Sequence, residues 1–223
     1  MRPRKLRHME RRRGLVEDYR ISYTLPSFDL REIDNVRDYF DFTEIFGNDN
    51  PVYFEIGCGK GKFASELAKR HPEINIIGID CVPDVLVQAC EKAKLDSLDN
   101  LRFLEIKAEY LPIFVKPKSI SGIYLNFSTP YPKKSHIKHR LTSPIFLEIY
   151  KSILKKGGYI YQKTDSQILF EYSIESLSQN GFALYNVTLD LHNSDFEDNI
   201  VTEYESKFAQ QGLPIYRLEA KLK

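Results

Sequence analysis

The sequence predicts an α/β fold, a seven-stranded and mostly parallel sheet with helices on both faces, formed as a single domain over residues 15–223 behind a basic arm over residues 1–14. Three observations predict it. From Val52 onward, short apolar runs alternate with amphipathic segments, the pattern of a parallel sheet wrapped by helices. A glycine-rich turn links the first apolar run to the first amphipathic segment. A chain of 223 residues with 42% hydrophobic content is long and apolar enough for one substantial core.

Residues 1–14 carry six arginines and one lysine against one acid, with little apolar surface to fold upon, and read as a mobile basic arm. The alternative is a solvated tail without a partner. Residues 15–50 are mixed and aromatic and close on the turn Gly47-Asn48-Asp49-Asn50-Pro51. The first strand is expected at 52–56. Past the glycine loop, Phe63, Ala64, Leu67 and Ala68 share one helical face and Lys62, Glu66, Lys69 and Arg70 the other. Further strands are expected at 74–79, 101–106, 122–125, 159–162, 182–189 and 215–220, with helices at 84–95, 143–154, 167–179 and 203–210. The helix over 143–154 is expected to end at Lys155-Lys156-Gly157-Gly158, where cations complement its carbonyl end and glycine supplies a left-handed cap. A late antiparallel hairpin closes the sheet.

Charge narrows the function classes. The 32 Lys and Arg nearly balance the 31 Asp and Glu, so any nucleic-acid reading must come from local clusters rather than a whole-chain field. Cys58, Cys81 and Cys90 give neither a disulfide framework nor zinc-site spacing, and a reducing, cytoplasmic setting fits them. No run approaches the roughly eighteen apolar residues of a membrane span, and the arginine-rich start lacks the apolar segment of a signal peptide. A soluble, unsecreted protein with no membrane contact is expected.

The loop Glu55-Ile56-Gly57-Cys58-Gly59-Lys60-Gly61 lies at a strand end and opens a helix, which lets a ligand approach the backbone and meet the helix N-terminus. Bare turn geometry is the competing reading of such glycines. The spacing is G-x-G-x-G rather than the G-x-G-x-x-G of a dinucleotide site, and Glu55 would repel a pyrophosphate. A carboxylate there instead accepts a hydrogen bond from the ammonium of an aminoacyl ligand, directly or through water. Asp80, ending the second strand, is placed to accept both ribose hydroxyls of an adenosine, with a helix N-cap as its alternative. Glycine loop and two acids together describe S-adenosylmethionine. Cys58 reads as a small residue that fits the loop.

The segment Asn126-Phe127-Ser128-Thr129-Pro130-Tyr131-Pro132-Lys133-Lys134-Ser135-His136-Ile137-Lys138-His139-Arg140 follows the fourth strand at the ligand-binding edge of the sheet. Two prolines around Tyr131 make a stiff platform for a stacked base, and the four cations and two histidines beyond it suit a phosphate backbone. A solvated basic loop is the competing reading. Histidines interleaved with lysines are a poor setting for a cation, so no metal is expected.

These residues resemble the bacterial tRNA (guanine-N7-)-methyltransferases from about Phe46 to the C-terminus. The motifs are the glycine loop with Glu55, then Asn126-Phe127-Ser128 with Pro130 and Pro132-Lys133-Lys134, then Lys163-Thr164-Asp165, and last Thr202-Glu203-Tyr204-Glu205 with Lys207-Phe208. The resemblance implies a class I methyltransferase (Rossmann-like) fold, S-adenosylmethionine as cofactor, tRNA as partner and a guanine of the variable loop as target. By motif position it implies cofactor contacts at Glu55, Gly57, Gly59, Asp80, Lys107 and Ala108. It implies substrate contacts at Lys133, Asp165, Thr202, Glu203, Tyr204 and Glu205, and catalytic positions at Thr129 and Asp165.

Two positions depart from the family's pattern. The family usually reads Asp-Pro-Trp-Pro-Lys where this chain has Thr129-Pro130-Tyr131-Pro132-Lys133, and it usually carries an acid where this chain has Lys107, with Glu109 the nearest substitute. Guanine N7 already holds an unshared pair, so its methylation needs alignment and a negative field rather than a general base. Thr129 supplies a hydrogen bond without an anion, and Asp165 and Glu205 are expected to keep some of the field. A working but slower enzyme, monomer or weak homodimer, is expected. The alternative is a catalytically weakened or inactive methyltransferase-fold tRNA-binding protein. An exocyclic-amine methyltransferase is disfavoured by the extra residues between Asn126 and Pro130, and a nucleotide-dependent oxidoreductase by Glu55 and the glycine spacing.

Overall fold

The computed structural model describes residues 8–23, 38–209 and 211–223. Its frame is a sheet of eight strands: β1 (Arg20–Ile21), β2 (Val52–Ile56), β3 (Asn75–Asp80), β4 (Leu101–Glu105), β5 (Ile120–Asn126), β6 (Leu154–Thr164), β7 (Phe182–Thr188) and β8 (Tyr216–Leu222). They lie in the order β1-β4-β3-β2-β5-β6-β8-β7. Every pair is parallel except β6 with β8 and β8 with β7. The expected count of seven strands is thus one short. The additional strand, β1, is two residues long and borrows its register from β4, so no period of two could reveal it.

The described α-helices are α1 (Met9–Gly14), α2 (Phe42–Phe46), α3 (Lys62–Arg70), α4 (Pro83–Leu95), α5 (Leu111–Phe114), α6 (Pro144–Ile153), α7 (Gln167–Gln179) and α8 (Glu203–Ala209). Proline opens α4 and α6, where its missing N–H is no loss. The alternation of β3 divides the core: Ile76 packs with Phe63, Leu67 and Ala89 of α3 and α4, while Ile77 and Ile79 pack with Phe114, Phe146, Leu147 and Phe170 of α5, α6 and α7. Helices therefore cover both faces, as expected. Among the described residues no helix is long and apolar enough to cross a membrane.

The expected end of α6 is corrected. The helix stops at Ile153, and Lys155, Lys156, Gly157 and Gly158 belong to β6. A glycine cap is dispensable because Lys118 satisfies the last carbonyls from outside: its N–H donates to Ser152 O at 3.1 Å and its Nζ to Lys151 O. The basic arm is partly corrected as well. Residues 1–7 lie outside the described residues, but Met9–Gly14 is a helix rather than a mobile segment. Arg12 pairs with Glu91 of α4, and Arg13 and Arg20 converge on Glu105 at 2.8 and 3.3 Å.

The packing of β4 and the glycine loop against β3 depends on a missing side chain. The Phe103 ring lies against Gly78, where a Cβ would stand 2.6 Å from Phe103 Cε1 and 3.1 Å from Cys58 Sγ. Asn100 secures the other end, its Nδ2 shared among the carbonyls of Ala68, His71 and Ile74 at 3.1, 3.0 and 2.9 Å. Gly78→Ala forces the Phe103 ring out of its place and should cost about 1–3 kcal/mol, the usual penalty of overpacking. A melting temperature equal to that of the unaltered chain would contradict this packing account.

Candidate active site

The site lies at the carboxyl ends of β2 to β5, where the strand order reverses: β3 and β4 extend from one side of β2, and β5 from the other. Gly57 and Gly59 take φ of 80° and 54°, left-handed values that a side chain strains to adopt. Their turn is anchored by the N–H groups of Gly57 and Cys58, which both donate to Ile79 O at 2.8 and 3.0 Å. The Asp80 carboxylate holds the loop and the entry to α4 together, accepting from the Gly59 N–H and the Val82 N–H, each at 2.9 Å. The N-cap of α4 is Val82, so the capping alternative for Asp80 does not apply.

Glu55 is 3% exposed. One oxygen accepts from the Ala64 N–H in the first turn of α3, and the other from Asn126 Nδ2 at the end of β5, both at 3.1 Å. Burial pushes this carboxyl up to about 7, and the bonds from Asn126 and Ala64 oppose the shift without cancelling it. Cys58 is buried beside it and its thiol is pushed well above its ordinary value, chiefly by burial, which fits the space-filling role read from the sequence.

Two clefts flank the glycine loop. The smaller, about 320 Å³, is lined by Glu55, Gly57, Gly59, Asn126, Phe127, Thr202 and Tyr204 among others. The larger, about 580 Å³, includes Gly57, Asp80, Lys107, Ala108, Phe127, Thr129 and Tyr131. They meet at Gly57 and Phe127. The structure thus gathers every cofactor contact expected from the sequence, together with Thr129, Thr202 and Tyr204, around one loop. A further cavity of about 270 Å³ behind Asn126, floored by Tyr124 and Tyr161, contains none of the predicted site residues. Among the described residues no group of His, Cys, Asp and Glu is arranged to hold a metal ion.

Other predicted residues fall elsewhere. Lys133 is exposed at the head of a 3₁₀ turn over Lys134–His139, and Asp165 is half-buried just past β6; neither lines the two clefts. The Glu203 side chain lies outside the described residues. Thr202 and Glu205 form a capping box for α8: Thr202 Oγ1 accepts from the Glu205 N–H at 3.0 Å, and Glu205 Oε2 from the Thr202 N–H at 3.4 Å. Glu205 is fully buried and also accepts from Lys163 Nζ at 2.7 Å. Of the four cations read as phosphate contacts, Arg140 is buried and braces the loop from beneath, donating to the carbonyls of Pro130 and Tyr131 at 2.9 and 3.1 Å. Lys133, Lys134 and Lys138 remain exposed.

Sequence reasoning gave no role to Asn126, Lys163 or Phe127. Lys163 Nζ donates to Asn199 Oδ1, Ile200 O and Glu205, tying the segment before α8 to β6. Burial pulls its ammonium below the ordinary lysine value, with Glu205 opposing. The available signal was strand position: Lys163 shares a face of β6 with Tyr159 and Tyr161, which directs it into the protein.

The raised Glu55 carboxyl sets a pH dependence. A buried acid that holds its proton more tightly than in the unfolded chain adds stability at low pH and loses it as pH rises from 4.5 to about 7. Relative to wild type, Glu55→Gln should therefore gain about 3 kcal/mol over that interval. Denaturation profiles with a pH-independent difference between the two proteins would contradict the burial account.

Comparison with known proteins agrees with this geometry. The sequence family described as "Putative methyltransferase" matches residues 49–218. The tRNA (guanine-N(7)-)-methyltransferase of Listeria monocytogenes is 51% identical over 198 residues, spanning 88% of this chain and 92% of that protein. The enzyme of the same name from Bacillus subtilis is 48% identical over 190 residues, spanning 85% and 89%. Among solved structures, a SAM-dependent methyltransferase from Aquifex aeolicus superposes with a TM-score of 0.56 at 16% identity, covering 88% of this chain and all 100% of the other. The 16S rRNA methyltransferase KamB superposes with a TM-score of 0.60 at 15% identity, covering 91% and 98%. At such identities these two establish the fold, that of a class I methyltransferase, and the long matches at about half identity establish more: the chain belongs to the tRNA (guanine-N(7)-)-methyltransferase family.

Proposed function

We propose that this chain transfers the methyl group of S-adenosylmethionine to N7 of a guanine in the variable loop of tRNA, in the cytoplasm, as a monomer or weak homodimer with residues 1–14 as a basic arm toward the RNA. The observation that carries this reading is identity of 51% across 88% of the chain to a tRNA (guanine-N(7)-)-methyltransferase.

The site's own chemistry suits the cofactor. Among the described residues Glu55 has no ion-pair partner, so a buried acid close to its titration point faces the smaller cleft and would be satisfied by a ligand ammonium. Each Asp80 oxygen has a lone pair beyond the one used by Gly59 or Val82, available to a ribose hydroxyl. Gly57 and Gly59 leave the backbone open, and Lys107 with Ala108 walls the larger cleft where the adenine would lie. When bound, S-adenosylmethionine supplies an electrophilic methyl group on a sulfonium.

What remains for the protein is orientation and field. Glu55 and Asp80 would hold the aminoacyl and ribose parts of the cofactor, and the loop from Asn126 to Tyr131 forms the opposing wall of the clefts. That wall is stiff because Arg140 holds its carbonyls and because Phe127 and Tyr131 are locked at φ of 51° and 41°. Thr129 is exposed at the larger cleft where the family usually carries an acid and offers a hydroxyl to the base. Asp165, Lys133 and the Thr202-Glu203-Tyr204-Glu205 segment are assigned to the substrate side, with Thr202 and Glu205 acting through the shape they give α8. The non-catalytic alternative rested on Thr129 and Lys107 alone, and the family match gives it no support.

Mass spectrometry of nucleosides from unmodified tRNA incubated with the protein and S-adenosylmethionine should show 7-methylguanosine; its absence with cofactor and tRNA both bound would refute the assignment. Thr129→Asp should raise the methylation rate about tenfold, equivalent to about 1.4 kcal/mol of transition-state stabilisation, while the cofactor dissociation constant barely moves. An unchanged or lower rate would show that a carboxylate at this position is not what the site lacks.

A further inference from the structure

Phe127 combines three properties that a core phenylalanine does not need. It is a non-glycine residue held at φ 51°, directly after β5, with its N–H donating to Lys163 O at 2.8 Å. Such strain persists only where the surroundings impose it. Its side chain is half-buried rather than buried, and it is shared by both clefts, at the place where they meet.

Opposite it stands Tyr204, 61% exposed at the rim of the smaller cleft. The two ring centroids are 6.4 Å apart with planes 23° from parallel. Contact between carbon atoms is most favourable at about 3.5 Å, so a planar ring lying between two others needs their planes about 7 Å apart, and at a centroid spacing of 6.4 Å the two rings must part to admit one. Phe208 lies on the other side of Tyr204 at the same centroid distance. That second spacing is dictated by the i,i+4 geometry of α8, whereas the first separates two elements, so Phe127 and Tyr204 can part without disturbing a helix. The capping box and the Lys163–Glu205 pair hold Tyr204 in place.

We propose that Phe127 and Tyr204 form a two-ring slot that sandwiches the target guanine and stabilises the positive charge it acquires on methylation. The inference rests on the proposed reaction. As N7 forms its bond to the methyl carbon, the carbon–sulfur bond breaks and the positive charge passes from sulfur to the purine ring, with no proton released. Aromatic faces attract a cationic ring more than a neutral one, so the slot favours the transition state over the bound substrate. The slot thereby takes over some of the work of the carboxylate replaced by Thr129. Tyr131, read from the sequence as the stacking platform, lines the larger cleft with its ring against His139 and His136 at 5.7 and 6.3 Å.

The chain contains no tryptophan, so Tyr204→Trp places a single indole in the slot. Titrating this variant with unmodified tRNA in the presence of S-adenosylhomocysteine should quench its fluorescence by half or more, and adding Phe127→Leu should remove most of the quench while tRNA binding by filter assay persists. In steady state at saturating S-adenosylmethionine, Phe127→Leu and Tyr204→Leu should each lower kcat tenfold or more, and Phe127→Tyr and Tyr204→Phe should restore it. N7-methylguanosine monophosphate should compete with tRNA at least fivefold better than guanosine monophosphate. Leucine variants as active as an active wild type, or bound tRNA that leaves the indole unquenched, would overturn the slot alone. A wild type that forms no 7-methylguanosine would overturn the reaction and the slot together.

Discussion

The Glu55 carboxyl is buried at the switch point of the sheet and held by two donors that belong to different elements, the first turn of α3 and the end of β5. These two bonds fix the distance between the glycine loop and the loop that follows Asn126, and so define the walls of both clefts. Burying an acid in this way is unfavourable, which is why the carboxyl rises to about 7 rather than staying at 4.5. The free protein carries that strain at the point where a cationic ligand would relieve it. On the neighbouring strand Asp80 has the complementary role, using its two oxygens to bind the glycine loop to the entry of α4.

A second buried charge organises the other side of the site. Lys163 draws Asn199, Ile200 and Glu205 onto the end of β6, and Glu205 in turn closes a capping box with Thr202. Without this clamp α8 would have few ties to the sheet, and Tyr204 would not be presented across from Phe127. Two buried ionisable groups, one on each side of Asn126, thus hold the glycine loop and α8 in register. Neither is available to take a proton from the base, and methylation at N7 does not call for it.

The sheet and its flanking helices were legible because β2, β3, β5 and the amphipathic face of α3 carry strong periodicity, and the gathering of Glu55, Gly57, Gly59 and Asp80 around one loop because they combine a spacing with two charges. The substrate side was less legible. The motif Thr202-Glu203-Tyr204-Glu205 reads as a row of polar contacts, yet a T-x-x-E spacing is also a helix start, and here the side chains of Thr202 and Glu205 serve the backbone. Arg140 looked like one more cation of a basic loop, and only tertiary structure shows it facing inward over the Tyr172 ring at 4.6 Å. The two-residue β1 and the outside capping of α6 by Lys118 leave no local pattern at all. Phe127 was hidden for a different reason: no composition or period announces a left-handed phenylalanine.

The central claim, that a buried Glu55 whose carboxyl is raised to about 7 would be satisfied by the ammonium of the cofactor, is tested most directly by calorimetric titration of the free protein with S-adenosylhomocysteine at pH 6 in buffers of different ionisation enthalpy. With the free carboxyl at about 7 and the bound one lowered by the ammonium, binding should release close to one proton at pH 6 and almost none at pH 8.5. Binding that releases no proton at pH 6, or that takes one up, would contradict it.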